Sequence, residues 1–382
     1  MNLLDVKIRP SFFYYLCFTL YAISNALTLT NFRNIENLYI YPVYLYVRVF
    51  CAIVLFIIIF SDSQIRLKLF FLWPLFILLG LSTYYSGSWN FLLLVLFAVA
   101  SNDVDIKRLA RFVVVIYSLI LAVTSISSKI GLIPSYPIVG DGGLVRDPMG
   151  FTHPNTFSAF VVVVCCAFAI LRFRKFEIVD ALVYLFGFSL CWIIAYSRTS
   201  SICIIFICFV SFLFSIGKTE RFFKNIYSSI SVIFLAECVA SLYLMVYFNS
   251  GSQWMNMLNR ALSGRLDLAN YFYTNFGVLP FGLDYSKIVI DYNGYTSFVV
   301  DNAFCHLMLE SGYIVAVFFY AMYFYTLLRT KERSIYTYGM LLYVPVAFCE
   351  TSAFLVCFNF SLIAMFRLSK GSLKNVSERS FV

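Results

Sequence analysis

The sequence predicts an all-α polytopic integral membrane protein with about 12 transmembrane helices, and three observations predict it. Hydrophobic residues make up 62% of the 382-residue chain, aromatic residues 20% and charged residues only 12%. A water-soluble domain carries roughly 25% charged residues and could not cover itself with so little polar surface. Several apolar runs approach the ~20 residues that cross a bilayer as a helix. Lys and Arg cluster in short connectors between those runs, which is the orientation signal of cytoplasmic loops. The net charge of +9 therefore reports topology, and nucleic acid is not an expected partner.

The apolar runs fall at about 11–30, 42–60, 69–85, 89–101, 112–133, 156–171, 178–195, 200–216, 227–248, 303–328, 335–349 and 352–366. Lys7 and Arg9 precede the first run without a small-residue cleavage site, the pattern of a retained first helix and not of a removed signal peptide. Alternating the runs from a cytoplasmic N-terminus puts Arg66/Lys68, Lys107/Arg108/Arg111, Arg172/Arg174/Lys175, Lys218/Arg221/Lys224, Arg329/Lys331/Arg333 and the basic tail from Arg367 inside. About 20 of the 28 Lys and Arg are then cytoplasmic, as are both termini. Residues 1–382 form a single transmembrane domain with no internal repeat or soluble module. Two loops remain outside, 134–155 and 249–301, each expected to carry short interfacial helix. Chemistry has to reside there and at the outer ends of the spans.

The eleven cysteines lie mostly within apolar runs, with no CxxC or Cys/His cluster. They read as small packing residues, and no metal site is expected. "DVD" at Asp103–Asp105 imitates a metal-binding acidic pair, but it sits in a short connector beside Lys107 and Arg108 and reads as a solvated charge run. Arg48 and Glu237 lie inside apolar spans, where each costs ~2.5–3.5 kcal/mol. Mutual pairing is the economical expectation.

Arginines outside are the exceptions to the topology rule: Arg33, Arg146, Arg198, Arg260 and Arg265. Their planar donor forks match phosphate oxygens. Arg33 and Arg260 read as lipid-headgroup contacts. In "SQWMNMLNRALSGRLDLANYFYTNFG", Trp254, Leu258, Ala261, Ala269, Phe272 and Phe276 recur at helical spacing. At 100° per residue Arg265 falls within that apolar stripe, where a buried charge demands a partner, unless Ser263-Gly264 breaks the helix. Arg198, in the tight outer turn "AYSRTS", serves equally well as a functional group or as an interface anchor. "RDPMGFTHPN" brings Arg146 and His153 to the start of a span. Asn155 can cap that span, or Pro154 can occupy its first turn, and either way an anion-attracting helix N-terminus points outward. In "DNAFCHLMLESG", Asp301 is a plausible N-cap, and Asn302, His306 and Glu310 share a helix face at i, i+4 and i+8.

Taken together these motifs resemble the Wzy/O-antigen polymerase and ligase superfamily. The residues that carry the resemblance are Arg146, His153-Pro154-Asn155, Ser197-Arg198-Thr199, Ser263-Gly264-Arg265, Pro280-Phe281-Gly282 and Asp301-Asn302 with Gly312, over residues 140–315. The first third of the chain is similar in topology only. The resemblance implies a GT-C-like, metal-independent membrane glycosyltransferase without a cofactor, in the inner (plasma) membrane of a bacterium. Its substrate would be polyprenyl-pyrophosphate-linked oligosaccharide, with membrane lipid around it and a chain-length regulator and a flippase as partners. Arg146 and Arg265, assisted by Arg198, would bind pyrophosphate. Asp301 first, then His153, then His306 and Glu310, would deprotonate or orient the attacking hydroxyl. Ligase-like members often carry histidine where Asp301 stands, so the departure leans toward a polymerase of O-antigen, capsule or exopolysaccharide. The alternatives are a ligase of the same superfamily and a polysaccharide flippase or other transporter. Transporters often show repeated halves or broken mid-membrane helices, and neither is legible in the sequence.

Overall fold

Apolar runs in lipid fold as helices because each backbone N–H and C=O must find its partner within the segment. The computed structural model describes residues 10–35, 38–61, 63–102, 104–139, 143–217, 219–292, 297–329 and 334–366. Among them are α1 (Pro10–Thr28), α2 (Ile40–Ser61), α3 (Ser63–Ser86), α4 (Asn90–Val99) and α5 (Ile106–Lys129). A two-residue antiparallel pair comes next, β1 (Ile138–Val139) with β2 (Val145–Arg146). Then come α6 (Pro154–Leu171), α7 (Ile178–Ser189) with a π turn over Leu190–Ile194, α8 (Arg198–Ile216), α9 (Glu220–Tyr247), α10 (Gln253–Ala261) and α11 (Arg265–Phe276). The chain closes with α12 (Ala303–Ser311), α13 (Tyr313–Arg329), α14 (Ile335–Leu342) and α15 (Val344–Cys349). It is an all-α, multi-pass membrane protein, and α2, α5, α6, α8 and residues Arg221–Tyr247 of α9 are long and apolar enough to cross a bilayer.

Burial orders these helices. The span of α6 is 72% buried and that of α2 only 17%, so α6 runs through the centre while α2 faces outward. Around Phe160 of α6 the rings of Tyr117, Phe151 and Phe358 pack at 5.1–5.2 Å, which seats the tip of the 134–155 loop on the core. At the opposite end Arg172 caps α6 and grips Asp180 of α7 with two hydrogen bonds, at 2.8 and 3.0 Å. Asp105 caps α5 by accepting from the Lys107 N–H at 2.9 Å. The second acid of "DVD" is therefore a helix cap. Asp103, Lys218, Lys331, Arg333, Lys7, Arg9, the tail from Arg367 and the side chains of Arg66 and Lys68 lie outside the described residues.

Four expectations are corrected. The run at 89–101 yields the ten-residue α4, about 15 Å long and half a bilayer core, enclosed by other helices. The run at 303–328 breaks at Gly312, and the Tyr320 hydroxyl donates to the Phe304 carbonyl at 2.6 Å. On a straight helix those residues would stand about 24 Å apart, so α12 and α13 fold back on each other. Residues 352–366 form 3-10 turns, Thr351–Phe354 and Phe360–Met365, in place of an α-helical span. Arg48 and Glu237 do not pair among the described residues. Arg48 stacks over Tyr44 at 4.4 Å and its field reaches Glu310, whereas Glu237 lies near Cys349. The broken helices also remove one reason for setting a transporter aside.

The "PFG" and "ESG" motifs are a backbone clasp. Leu283 N donates to Glu310 O at 3.1 Å and Tyr313 N to Leu279 O at 3.1 Å. Gly282 and Gly312 take φ of +88° and +89°, and a Cβ on Gly282 would stand 1.9 Å from the Glu310 oxygen. Only glycine permits this approach. The clasp docks the large loop onto the break between α12 and α13.

Candidate functional site

The first half of the site is the loop that delivers Arg146 and His153. Asp147 closes an Asx turn on Met149 N at 2.8 Å and takes bonds from Ser135 Oγ and Lys129 Nζ. Asn31, just beyond α1, ties the loop down by donating its amide to Pro134 O and Phe151 O. His153 then caps α6, its Nδ1 accepting from Asn155 N at 3.1 Å, and Pro154 takes the first helical position. Of the two openings expected for this span, Pro154 in the first turn is the one that forms. The cap is His153 itself, and Asn155 Oδ1 is left to accept from Arg146 Nη2.

Arg146 is aimed by a second device. The π turn at the end of α7 leaves carbonyls without intrahelical partners: Ile194 O accepts from Asp147 N at 3.2 Å, and Ala195 O from Arg146 Nε at 3.0 Å. Tyr196, at φ 47°, turns the chain into α8. Arg198 opens that helix, exposed, and among the described residues no carboxylate pairs with it.

The other half comes from 250 to 302 and from the end of α15. Ser263 and Gly264 adopt φ of 58° and 82° and break the expected continuous helix into α10 and α11, so Arg265 stands at the start of α11. Its side chain is 8% exposed, with Nε 3.0 Å from Asp301 Oδ2 and Nη2 3.4 Å from Glu350 Oε1. The N-cap of α12 is Asn302, and not Asp301 as expected: Asn302 Oδ1 accepts from Cys305 N at 3.0 Å, and its amide donates to Ser241 Oγ and Phe348 O. That one-residue shift frees Asp301, a third exposed, to meet Arg265. Arg265 has five N–H donors; the two carboxylates engage two of them.

Arg146 lies within electrostatic reach of Arg265, Arg198, Asp301 and Glu350, and His153 within reach of Asp301, Arg146 and Arg265. Burial, reinforced by Arg265 and Arg198, holds Arg146 below its ordinary pKa. Burial lowers His153 too, with Arg146 and Arg265 outweighed in part by the pull of Asp301. For Arg265 burial opposes the charge, but Asp301 and Glu350 raise it above the ordinary value. Burial pushes Glu350 well upward against the pull of Arg265. Because His153 Nδ1 is spent accepting at the helix cap, its neutral ring carries the proton on Nε2. Such a ring has one N–H to donate, at Nε2.

His306 and Glu310 stand apart from this group. They pair with each other at 3.5 Å along α12, and no ion pair or hydrogen bond among the described residues links them to Arg146, Arg198, Arg265 or Asp301. His306 and Glu310 keep the helix face expected of them, whereas the Asn302 side chain is turned back as the cap. Glu350 is the member that the sequence reading passed over. Its signal was available: a lone acid in the two-residue connector between the runs 335–349 and 352–366, on the outer side by alternation. Beside Arg265 lies a small, mainly apolar pocket lined by Ser241, Met245, Leu266, Ala269, Cys305 and Phe348. Among the described residues no three of the His, Cys, Asp and Glu side chains gather as a metal-ligand set.

No protein-family model, curated protein or solved structure matches the chain. The functional reading therefore rests on the residues themselves.

Proposed function

We propose that this protein is a membrane glycosyltransferase that polymerises polyprenyl-pyrophosphate-linked oligosaccharide repeat units into a surface polysaccharide, at the outer face of a bacterial plasma membrane and without a metal. A multi-pass topology with both termini cytoplasmic, crossing fewer times than there are apolar runs, belongs to the same proposal. The observation that carries it is that Arg265 pairs with one accessible carboxylate, Asp301, and that Arg146, with Arg198 beside it, lies within electrostatic reach of both. Arg146, Arg198 and Arg265 come from three separate segments, and among the described residues Arg265 alone of the three is paired with acids. Two of the arginines adjoin helix N-termini, those of α8 and α11, and Arg146 lies against that of α6, where anions are favoured.

In the reaction, a sugar hydroxyl of one lipid-linked unit attacks the anomeric carbon of the chain held on another lipid. Asp301 accepts the hydroxyl proton as the new C–O bond forms. The bond from the anomeric carbon to the phosphate oxygen breaks, and the lipid pyrophosphate leaves with the electron pair. Arg146 and Arg198, with the spare donors of Arg265, meet the growing negative charge. His153 donates from Nε2 to a phosphate or sugar oxygen, a role that replaces the base expected of it.

The broken helices favour one second reading, a transporter of the same lipid-linked sugars. Deleting the gene and analysing the lipid-linked pool separates them. Single repeat units displayed outside support the polymerase, units trapped inside support the transporter, and long unattached polymer supports a ligase. Arg198→Ala gives a cleaner assay of the site, because an exposed, unpaired side chain contributes little to the fold. Normal polymer length in cells carrying it would count against the arginine assignment.

A further inference from the structure

Buried polar atoms without a hydrogen-bond partner gather around Glu310: Arg48 Nε, Ser88 Oγ, Tyr285 Oη and His306 Nδ1. They belong to four separate segments. His306 Nε2 stands 3.5 Å from Glu310 Oε2. Ser88 lies within hydrogen-bonding reach of the same carboxylate, and Arg48 and Tyr285 are within its electrostatic reach. Each such orphan costs about 1–3 kcal/mol, and native folds keep them where something else satisfies them.

The surroundings are held firmly. The Gly282–Gly312 clasp fixes the Glu310 backbone. Phe298 buttresses the His306 ring at 5.0 Å and stacks on Tyr285 at 4.0 Å. A Cβ on Gly87 would touch the Asp284 carboxylate at 3.1 Å, so the large loop sits directly on the turn that carries Ser88. The His306 and Glu310 side chains are 24% and 22% exposed, while the four orphaned atoms themselves are buried.

We infer that His306, Glu310, Ser88, Tyr285 and Arg48 form a second binding site, one for a neutral, hydroxyl-rich ligand: a sugar ring. The formal charges of Arg48 and Glu310 cancel, so the cluster does not select an anion as the arginine group does. Hydroxyls both donate and accept, which is what this mixture of orphaned donors and acceptors requires. In the polymerisation reaction this is the place for sugars of the attacking unit, an assignment that rests on the function proposed above. The site itself does not need it.

The test uses the full chain in lipid nanodiscs and two kinds of probe, read by thermal shift. One is a panel of methyl glycosides of hexoses, 6-deoxyhexoses and N-acetylhexosamines. The other is farnesyl diphosphate, for the arginine group. Tyr285→Phe deletes a hydroxyl without a protein partner and Ser88→Ala one beside the Glu310 carboxylate, so both variants should melt close to the wild type in the absence of ligand. At least one glycoside should stabilise the wild type saturably, with half-saturation weakened about tenfold for each hydroxyl removed, while the farnesyl diphosphate response stays unchanged. If no glycoside shifts the wild type, or if the double variant responds equally, water alone fills the cluster and the inference is wrong. Loss of the farnesyl diphosphate response in the wild type would instead overturn the arginine assignment and leave the sugar site standing.

Discussion

Replacing Arg265 with alanine removes the guanidinium that two carboxylates share. The arginine side chain is 8% exposed and Glu350 12%, with contacts of 3.0 and 3.4 Å to Asp301 and Glu350. Taking one partner from a buried charge group costs about 3–5 kcal/mol, because a charge without compensation is left behind. Here the loss should fall near 3 kcal/mol, since burial already favours the protonated form of Glu350 and Asp301 is a third exposed. For a protein of this size that corresponds to a melting point lower by on the order of 4 °C. Catalysis should fall further, by about 10²–10³, the usual loss for one preorganised group facing developing charge. The assay is thermal unfolding in nanodiscs alongside polymer length in cells. Adding Glu350→Gln to Arg265→Ala should restore part of the stability and none of the polymer, because it relieves the stranded acid without replacing the cation. An Arg265→Ala protein that melts with the wild type would refute the buried charge group.

The same geometry gives two further expected outcomes. Gly282→Ala should destabilise the protein by more than the ~1–2 kcal/mol of a left-handed backbone, because its Cβ would overlap the Glu310 oxygen; limited proteolysis of the 249–301 loop would report a loosened clasp. The pKa of His153 is lowered in the folded state, so the unfolded chain binds the extra proton first and stability falls as pH drops below the ordinary histidine value of about 6.5. His153→Asn, which keeps a helix-capping side chain, should flatten that part of the melting-point profile, and an unchanged slope between pH 7.5 and 5.5 would exclude His153 as its source.

The membrane class was written in composition, and the long helices in run length. The features that escaped depend on contacts between distant segments. Arg265 was legible as a buried charge because it sat in an apolar stripe, but its partner Glu350 is 85 residues away and no local pattern joins them. Asp301 and Asn302 are both good caps. The choice fell to Asn302 because its amide also reaches Ser241 and Phe348, a tertiary decision. Residues 303–328 look like one crossing because Gly312 costs a helix only about 1 kcal/mol. The clasp with Gly282 turns that glycine into a break. Arg48 and Glu237 were matched by charge alone, and packing sent them to different neighbours.

The π turn at the end of α7 makes the length of the chain a chemical variable. It accommodates one residue more than an α-helical turn would hold. Deleting a single residue from Leu190–Ile194 would let the turn close to α-helical spacing and take up the carbonyls it now leaves free. The Ala195 carbonyl would swing away from Arg146 although no residue in contact with the guanidinium had changed. The aim of that arginine is thus set by counting, and homologous chains that share the turn would tolerate substitutions there far better than insertions or deletions.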